Sequence, residues 1–272
     1  MGAGAVVAVG GGSLRCPPQV PMSSQRAPVL EPGWLLTPPA RPYLGSILHR
    51  NRRRVFGLLE RPALPPGLAV PLVPYKLFLH GKSGVGKTAL VAWLAGTPVP
   101  PVHHETLGIE VSTVYWPAKA RASGRPVLFQ LRFWDCGDGA MRKFEHLLPA
   151  CKEEADAVLF LFSFTDRASF EELPAQMSRA MDPDGAGLVR VVVGTKFDLP
   201  AHADVSERDV AAFEEAQGVR VLRAGSAPGG TRGDRGGLAR VSPILDALVE
   251  SLWHRDQIAA GVAPEGEGSP PA

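Results

Sequence analysis

The sequence is poor in cysteine and contains no long apolar run. Its three cysteines, Cys16, Cys136 and Cys151, stand at no metal-binding spacing. No apolar run is long enough to cross a bilayer, and the N-terminus lacks the basic start of a signal peptide. No cysteine follows Cys151, so no prenyl anchor is expected. These absences argue against a disulfide-rich secreted protein or a membrane-spanning one, and they favour a reduced, cytoplasmic compartment.

Lysine is missing from the first 73 residues. They carry eight arginines and two acids, a net charge of about +6. Because the whole chain has a formal net charge of +2, the remaining residues carry about −4. A net-acidic body with a basic arm argues against a core that binds nucleic acid.

The N-terminal region divides by composition. Residues 1–41 are rich in proline and glycine and are expected to be mostly disordered. Within 42–61, apolar residues recur at helical spacing around an arginine-rich stretch, which predicts a basic amphipathic helix over residues 43–60. This helix could dock on the main domain, contact a partner or lie on a membrane surface. Five prolines mark residues 62–74 as a stiff linker.

The domain itself is expected over residues 75–257, followed by a disordered tail over 258–272. Strand and helix patterns alternate along it, which predicts an α/β fold with a mostly parallel sheet. Only ten residues separate the candidate strands 109–116 and 127–134, too few for a crossover helix, so these two should pair antiparallel. Other candidate strands are 75–80, 157–163, 188–194 and 219–223, and candidate helices are 88–95, 140–151, 167–180, 206–217 and 241–254.

A glycine-rich loop, GKSGVGKT, occupies residues 81–88 between a candidate strand and a candidate helix. It fits the phosphate-binding pattern G-x-x-x-x-G-K-[ST] without a mismatch. Backbone N–H groups and the positive end of the helix dipole point at one place, so a plain glycine turn is the weaker interpretation. Lys87 should reach the β- and γ-phosphates, and the Thr88 hydroxyl should bind Mg²⁺. The expected nucleotide contacts here are Ser83, Gly84, Val85, Gly86, Lys87, Thr88 and Ala89.

Two further segments would complete a metal and phosphate site. Thr106 precedes a candidate strand, and its hydroxyl could close on Mg²⁺ while its backbone N–H meets a γ-phosphate. Asp135 ends another strand, from which its carboxylate could hold Mg²⁺ through a water molecule. The predicted metal ligands are therefore Thr88, Thr106 and Asp135.

Two loops near the end of the domain would select the base. In Gly194-Thr195-Lys196-Phe197-Asp198, the Asp198 carboxylate can accept hydrogen bonds from guanine N1 and N2, a donor pair that adenine lacks. The stem of Lys196 can lie along the purine ring. Ser226 and Ala227, after the last strand, would offer a backbone N–H to the guanine oxygen. This preference for guanine argues against a P-loop kinase or ATPase.

Together these segments resemble the small GTPases of the Ras superfamily. Residues 161–173 are similar to a strand-to-helix junction of Rab proteins. Residues 51–62, 102–106 and 133–137 are similar to the Rab-like GTPase of the ciliogenesis and planar polarity effector group. The resemblance implies a G domain with a six-stranded, mostly parallel sheet, one antiparallel edge strand and helices on both faces. It also adds His104 to the nucleotide contacts.

The resemblance implies a GTP-binding switch with GTP or GDP and Mg²⁺ as cofactors. Its partners would be protein effectors, among them the other subunits of a ciliogenesis and planar polarity effector complex. It implies a role in cilium assembly, exocytosis and vesicle or cargo transport to the basal body, in the cytoplasm and at the cytoskeleton. No nucleic-acid partner is expected. The C-terminal lipidation cysteines of Rab proteins are absent, so membrane contact would be indirect or made by the helix at 43–60.

The chain departs from the family pattern in three places. The third motif is usually Asp-x-x-Gly followed by Gln, but here Gly137 comes one residue early, and Asp138 or Gly139 stands where Gln belongs. The residue that orients the attacking water is therefore missing, and whether the chain hydrolyses GTP stays open. Thr195 replaces the commoner Asn, and Pro228 replaces a usual Lys. A non-cycling adaptor that holds its nucleotide is the alternative to a switch.

Overall fold

The computed structural model of the chain describes residues 27–43, 70–99, 106, 108–137, 154–179, 188–225 and 234–262. The strands are β1 (Leu72–His80), β2 (Ile109–Lys119), β3 (Pro126–Cys136), β4 (Ala157–Ser163), β5 (Val189–Thr195) and β6 (Val221–Arg223). The helices are α1 (Lys87–Ala95), α2 (Arg167–Glu171), α3 (Leu173–Arg179), α4 (Glu207–Gln217) and α5 (Asp234–Ala259).

The six strands form one sheet in the spatial order β2-β3-β1-β4-β5-β6. All neighbouring pairs are parallel except β2 and β3, which pair antiparallel from Ile109↔Cys136 to Lys119↔Pro126. Both the mostly parallel sheet and the antiparallel edge strand are therefore confirmed. The short connection between β2 and β3 is the physical reason, because it can only reverse the chain.

Helices cover both faces of the sheet, as expected, because the central strands are apolar on both sides. On β1, Leu77 and Leu79 face a cluster that includes side chains of α1 and α5, whereas Phe78 faces one that includes side chains of α2, α3 and α4. All seven residues of β4 are buried. Burying one such side chain contributes about 2 kcal/mol, so the two-sided pattern favours this layered arrangement.

Residues 27–43 pack against the domain, so residues 27–41 are an exception to the expectation that residues 1–41 are mostly disordered. Two short 3₁₀ turns, Trp34–Leu36 and Pro38–Ala40, place apolar side chains in the larger core cluster. Composition suggested disorder because proline and glycine are frequent there. The buried apolar side chains of this segment pack on the core of the folded domain. They are Leu30, Trp34, Leu35, Ala40 and Tyr43.

Helix α5 holds this N-terminal segment through the carboxylate of Glu250. Its two oxygens accept hydrogen bonds from the backbone N–H groups of Val29 at 2.7 Å and Leu30 at 2.9 Å. Leu30 also forms a β-bridge to Ala120, at the turn between β2 and β3. A charged acceptor makes these hydrogen bonds stronger than ordinary ones, so the segment is tied to two elements at once.

A second carboxylate on α5, that of Asp246, connects this helix to strand β2 and to the N-terminal segment. It accepts hydrogen bonds from Trp116 Nε1 on β2 at 2.8 Å and from the Ser242 hydroxyl at 3.0 Å. Burial raises the pKa of Asp246, and hydrogen bonds from Trp116, Ser242 and the backbone of Gly33 oppose that rise. The N-terminal segment is therefore an integral part of the folded domain.

Replacing Trp34 with alanine should lower the free energy of unfolding by about 3 kcal/mol, because a large buried ring would leave a cavity. Trp34 is only 5% exposed and contacts the ring of Tyr43 at 5.2 Å between centroids. Urea denaturation of the full chain measures the loss. Leu36→Ala is the matched control, since Leu36 lies in the same turn but is 50% exposed. Equal stability of both variants would show that the segment does not stabilise the domain.

Other predicted boundaries shift or fall outside the described residues. Strand β1 begins at Leu72, so residues 72–74 of the expected linker belong to the sheet, and α5 begins at Asp234 and ends at Ala259. The predicted helix over 140–151 and most of the one over 43–60 lie outside the described residues. In the described ranges, no helix combines the length and apolarity that crossing a membrane requires.

Candidate functional site

The loop over residues 81–88 has the geometry of a phosphate cradle. Gly81 must be glycine because a Cβ there would lie 2.5 Å from the carbonyl oxygen of Leu161, and Gly86 caps α1 with a φ of 98°. Lys87 is buried, and its Nζ donates to the carbonyl oxygens of Gly81 at 2.6 Å and Lys82 at 3.2 Å. The ammonium group thus lies across the loop, beside the N-terminus of α1, where anions bind.

Three predicted metal ligands meet beside this loop. The Thr88 hydroxyl donates to Asp135 Oδ2 at 2.5 Å and lies 2.9 Å from the Thr106 hydroxyl, whose proton it can accept. Asp135 is 3% exposed, and its Oδ1 has no hydrogen-bond partner within the described part of the chain. Hydroxyl and carboxylate oxygens are the ligands that Mg²⁺ prefers, so the buried, unsatisfied Oδ1 fits such an ion.

The described residues contain no group of three His, Cys, Asp or Glu side chains that could hold a metal alone. Thr88, Thr106 and Asp135 would therefore share the ion with phosphate oxygens and water, as Mg²⁺ usually does. Bound there, Mg²⁺ would neutralise the charge of the phosphates. The chain itself supplies the hydroxyl and carboxylate oxygens and the ammonium group of Lys87.

The two predicted base-selecting loops lie against each other. The backbone N–H of Ala224 donates to the carbonyl oxygen of Gly194 at 2.8 Å. The backbone N–H of Phe197 donates to the carbonyl oxygen of Ala224 at 3.1 Å. A Cβ on Gly225 would lie 3.0 Å from the backbone nitrogen of Asp198 and 3.1 Å from its Oδ1, so Gly225 packs closely on this residue and its carboxylate. The predicted contacts Ser226, Ala227 and His104 lie outside the described residues.

Thr195 connects the base-selecting loop to the phosphate loop, a role that the sequence did not indicate. It is 5% exposed, and its hydroxyl lies 2.5 Å from the carbonyl oxygen of Val85 and 3.0 Å from that of Phe162. A hydroxyl has one proton and donates to one of these oxygens at a time. Thr195 therefore links the two halves of the site.

Arg240 and Gly137 are further residues near the site that sequence reasoning missed. Arg240 on α5 donates from Nη2 to the carbonyl oxygen of Gly225 at 3.2 Å, and no local pattern marks it. Gly137 donates its backbone N–H to the carbonyl oxygen of Gly108 at 3.1 Å, beside the loop that carries Thr106. The available signal for Gly137 is a glycine directly after a strand, one residue earlier than the glycine of the family's third motif.

Comparison with known proteins agrees with this geometry. The sequence profile described as the Ras family matches residues 76–228. Ciliogenesis and planar polarity effector 2 of Mus musculus is 53% identical over 249 residues, which cover 89% of this chain and 96% of that protein. The Homo sapiens protein of the same name gives the same identity and coverage.

A more distant similarity is to Ras-related protein Rab-13 of Canis lupus familiaris, 27% identical over 183 residues, or 66% of this chain and 83% of that protein. The predicted resemblance is thereby confirmed. A six-stranded sheet with a phosphate loop after β1 is also what the fold of this family requires. The chain belongs to the Ras family of small GTPases and, within it, to the group of proteins named ciliogenesis and planar polarity effector 2.

Proposed function

We propose that this chain is a GTP-controlled switch that binds protein effectors, with GTP or GDP and Mg²⁺ as its cofactors. One observation carries the proposal. The phosphate loop after β1, Asp135 at the end of β3 and the proposed base-selecting loop after β5 all lie at the carboxyl ends of parallel strands. In open α/β sheets, ligands bind at that edge.

Specific contacts join the parts of this proposed site. Thr88 contacts both Thr106 and Asp135, which links the phosphate loop to the two segments that would sense a γ-phosphate. Thr195 contacts Val85, which links the phosphate loop to the base-selecting loop. Guanine is the base we propose, because the carboxylate of Asp198 suits the N1 and N2 donors of guanine.

The loop that carries Thr106 would be the element that changes with the nucleotide. In a switch, contacts to Mg²⁺ and the γ-phosphate order such a loop, and hydrolysis releases it. Strand β2 directly follows this loop and forms one edge of the sheet. Its first residues, Ile109 and Val111, are 42% and 46% exposed. Two exposed apolar side chains beside the switch loop support this edge as the surface for a protein effector.

We place this switch in cilium assembly and in vesicle or cargo transport to the basal body, including exocytosis. The support is the name of relatives that cover nine-tenths of the chain, which identifies them as ciliogenesis and planar polarity effectors. Partners would include the other subunits of such a complex, at the cytoskeleton and in the cytoplasm. Nucleic acid is not among them. Membrane contact would be indirect or made by the segment at 43–60.

A second candidate function is a non-cycling adaptor that holds its nucleotide within a ciliogenesis complex. It is favoured by the residues after Asp135, where Cys136, Gly137, Asp138 and Gly139 replace the usual pattern that ends in glutamine. Without that glutamine, the isolated protein has no residue of the usual kind to position the attacking water.

Nucleotide exchange and hydrolysis by the purified full chain, with and without cell extract, separate the two functions. A switch would exchange nucleotide and bind its effectors more tightly with a GTP analogue than with GDP. An adaptor would bind its partners equally in both states, and extract would not accelerate turnover. Identifying the nucleotide that co-purifies with the protein provides the first test.

Intrinsic GTP hydrolysis should be slow, at least about tenfold below that of glutamine-bearing relatives, whose rates are on the order of 10⁻⁴ s⁻¹. Cys136, Gly137 and Gly139 cannot orient a water molecule, and the carboxylate of Asp138 would repel the γ-phosphate. Ser83 also leaves less room there than a glycine. Single-turnover hydrolysis with Mg²⁺ measures the rate, with a glutamine-bearing Rab protein in parallel. Equal rates would mean that the third motif is functionally intact.

A further inference from the structure

Gly137 lies so close to Thr106 that no side chain fits between them. A Cβ built on Gly137 would be 1.8 Å from the carbonyl oxygen of Thr106 and 2.9 Å from its carbonyl carbon. Both distances are shorter than real Cβ contacts, and the obstructing atoms belong to backbone. Its backbone is not in the left-handed region, so space alone makes glycine necessary here.

The backbone around Gly137 holds Thr106 in place. The β2–β3 ladder ends at the pair Ile109↔Cys136, and the hydrogen bond from Gly137 N to Gly108 O at 3.1 Å extends it by one step. Thr106 is two residues before Gly108, with its carbonyl over Gly137 and its hydroxyl 2.9 Å from that of Thr88. The backbone contact of Thr106 with Gly137 and the position of the Thr106 hydroxyl beside Thr88 are therefore coupled.

We propose that Gly137 is a positioning residue for the Mg²⁺ site, because its missing side chain lets the Thr106 backbone pack on the end of β3. The early glycine of the third motif is then a requirement of this packing. Any larger residue would push Thr106 outward by more than 1 Å, because a Cβ and a carbonyl oxygen need at least 3.0 Å. The inference rests on the proposed function, since it assumes that the Thr106 hydroxyl serves the metal ion.

The test compares full-length wild type with Gly137→Ala, each loaded with a fluorescent, non-hydrolysable GTP analogue. Nucleotide dissociation is measured in millimolar Mg²⁺ and again in EDTA. Losing one good polar ligand should accelerate dissociation about tenfold in Mg²⁺. In EDTA the ratio of the two rates should be much smaller, because only the contact of the Thr106 backbone with the γ-phosphate is then lost. The same ratio of rates in both conditions would overturn the proposal, since the metal would then not be involved.

A double-mutant cycle with Thr106→Val asks whether Gly137 acts through the Thr106 hydroxyl. If it does, adding Gly137→Ala to Thr106→Val should accelerate dissociation in Mg²⁺ much less than the same change does in the wild type. Full additivity would overturn the proposal. Cys136→Ala serves as the neighbouring control. Cys136 is buried in the same core cluster as Phe78, and its replacement by alanine adds no atom near Thr106.

Hydrogen exchange on the wild type keeps the proposal testable if Gly137→Ala does not fold. With GDP and EDTA, the amide of Gly137 should exchange as slowly as the β3 amides, because it donates to Gly108. Fast exchange at Gly137 would contradict the packing. If the wild type binds no guanine nucleotide, the proposed function fails, whereas the exchange experiment still reports on Gly137.

Discussion

Lys87→Ala should abolish nucleotide binding, with a loss of GTP affinity of at least about a thousandfold. Lys87 is 8% exposed, and its ammonium group lies across the phosphate loop through hydrogen bonds to Gly81 and Lys82. Removing it leaves the phosphate charges without their fixed cation in a partly dehydrated site, where electrostatic interactions are strong. Equilibrium titration of the full chain with a fluorescent guanine nucleotide measures the affinity.

Lys82→Ala is the matched control, because its side chain belongs to the same loop but is exposed. It removes the same charge and should change affinity by less than about threefold, as expected for a solvent-screened surface charge. Melting temperatures should separate binding from folding. Added GTP should raise the melting temperature of wild type and of Lys82→Ala by mass action. It should leave the melting temperature of Lys87→Ala unchanged. Unchanged GTP affinity in Lys87→Ala would contradict the site.

Asp198→Asn should convert the preference from guanine to xanthine nucleotides, with GTP affinity falling by about a hundredfold or more. A carboxylate accepts hydrogen bonds from both N1 and N2 of guanine, whereas asparagine presents one acceptor and one donor. Xanthine carries a carbonyl oxygen in place of the N2 amine, so the new donor is satisfied. Asp198 is held for this task by close packing against Gly225.

Competition of GTP, XTP and ATP against a fluorescent guanine nucleotide measures this change in base preference. The control is Asp204→Asn, which removes an exposed carboxylate six residues farther along the chain and should leave the preference for GTP intact. ATP competing as well as GTP for the wild type would show that Asp198 does not select the base.

Local patterns were sufficient to predict the sheet and the phosphate loop. Central strands such as β4 are short apolar runs, and residues within one loop, such as Gly81, Gly86 and Lys87, define the predicted phosphate cradle by their spacing. The antiparallel edge followed from a connection too short to cross over. The prediction that Asp198 selects the base likewise rests on residues of its own loop. These features are visible in sequence because each depends on residues close together in the chain.

Only the tertiary structure brought distant residues together. The backbone of Val29 meets Glu250, 221 positions away, and Thr195 meets Val85, 110 positions away. The sequence marks Gly137 only as displaced from the family motif, and its closeness to Thr106 is visible only in the structure. A sequence pattern reports the conformation of neighbours along the chain. Which backbone atom lies against which side chain is decided by packing, because folding selects those contacts from the whole chain at once.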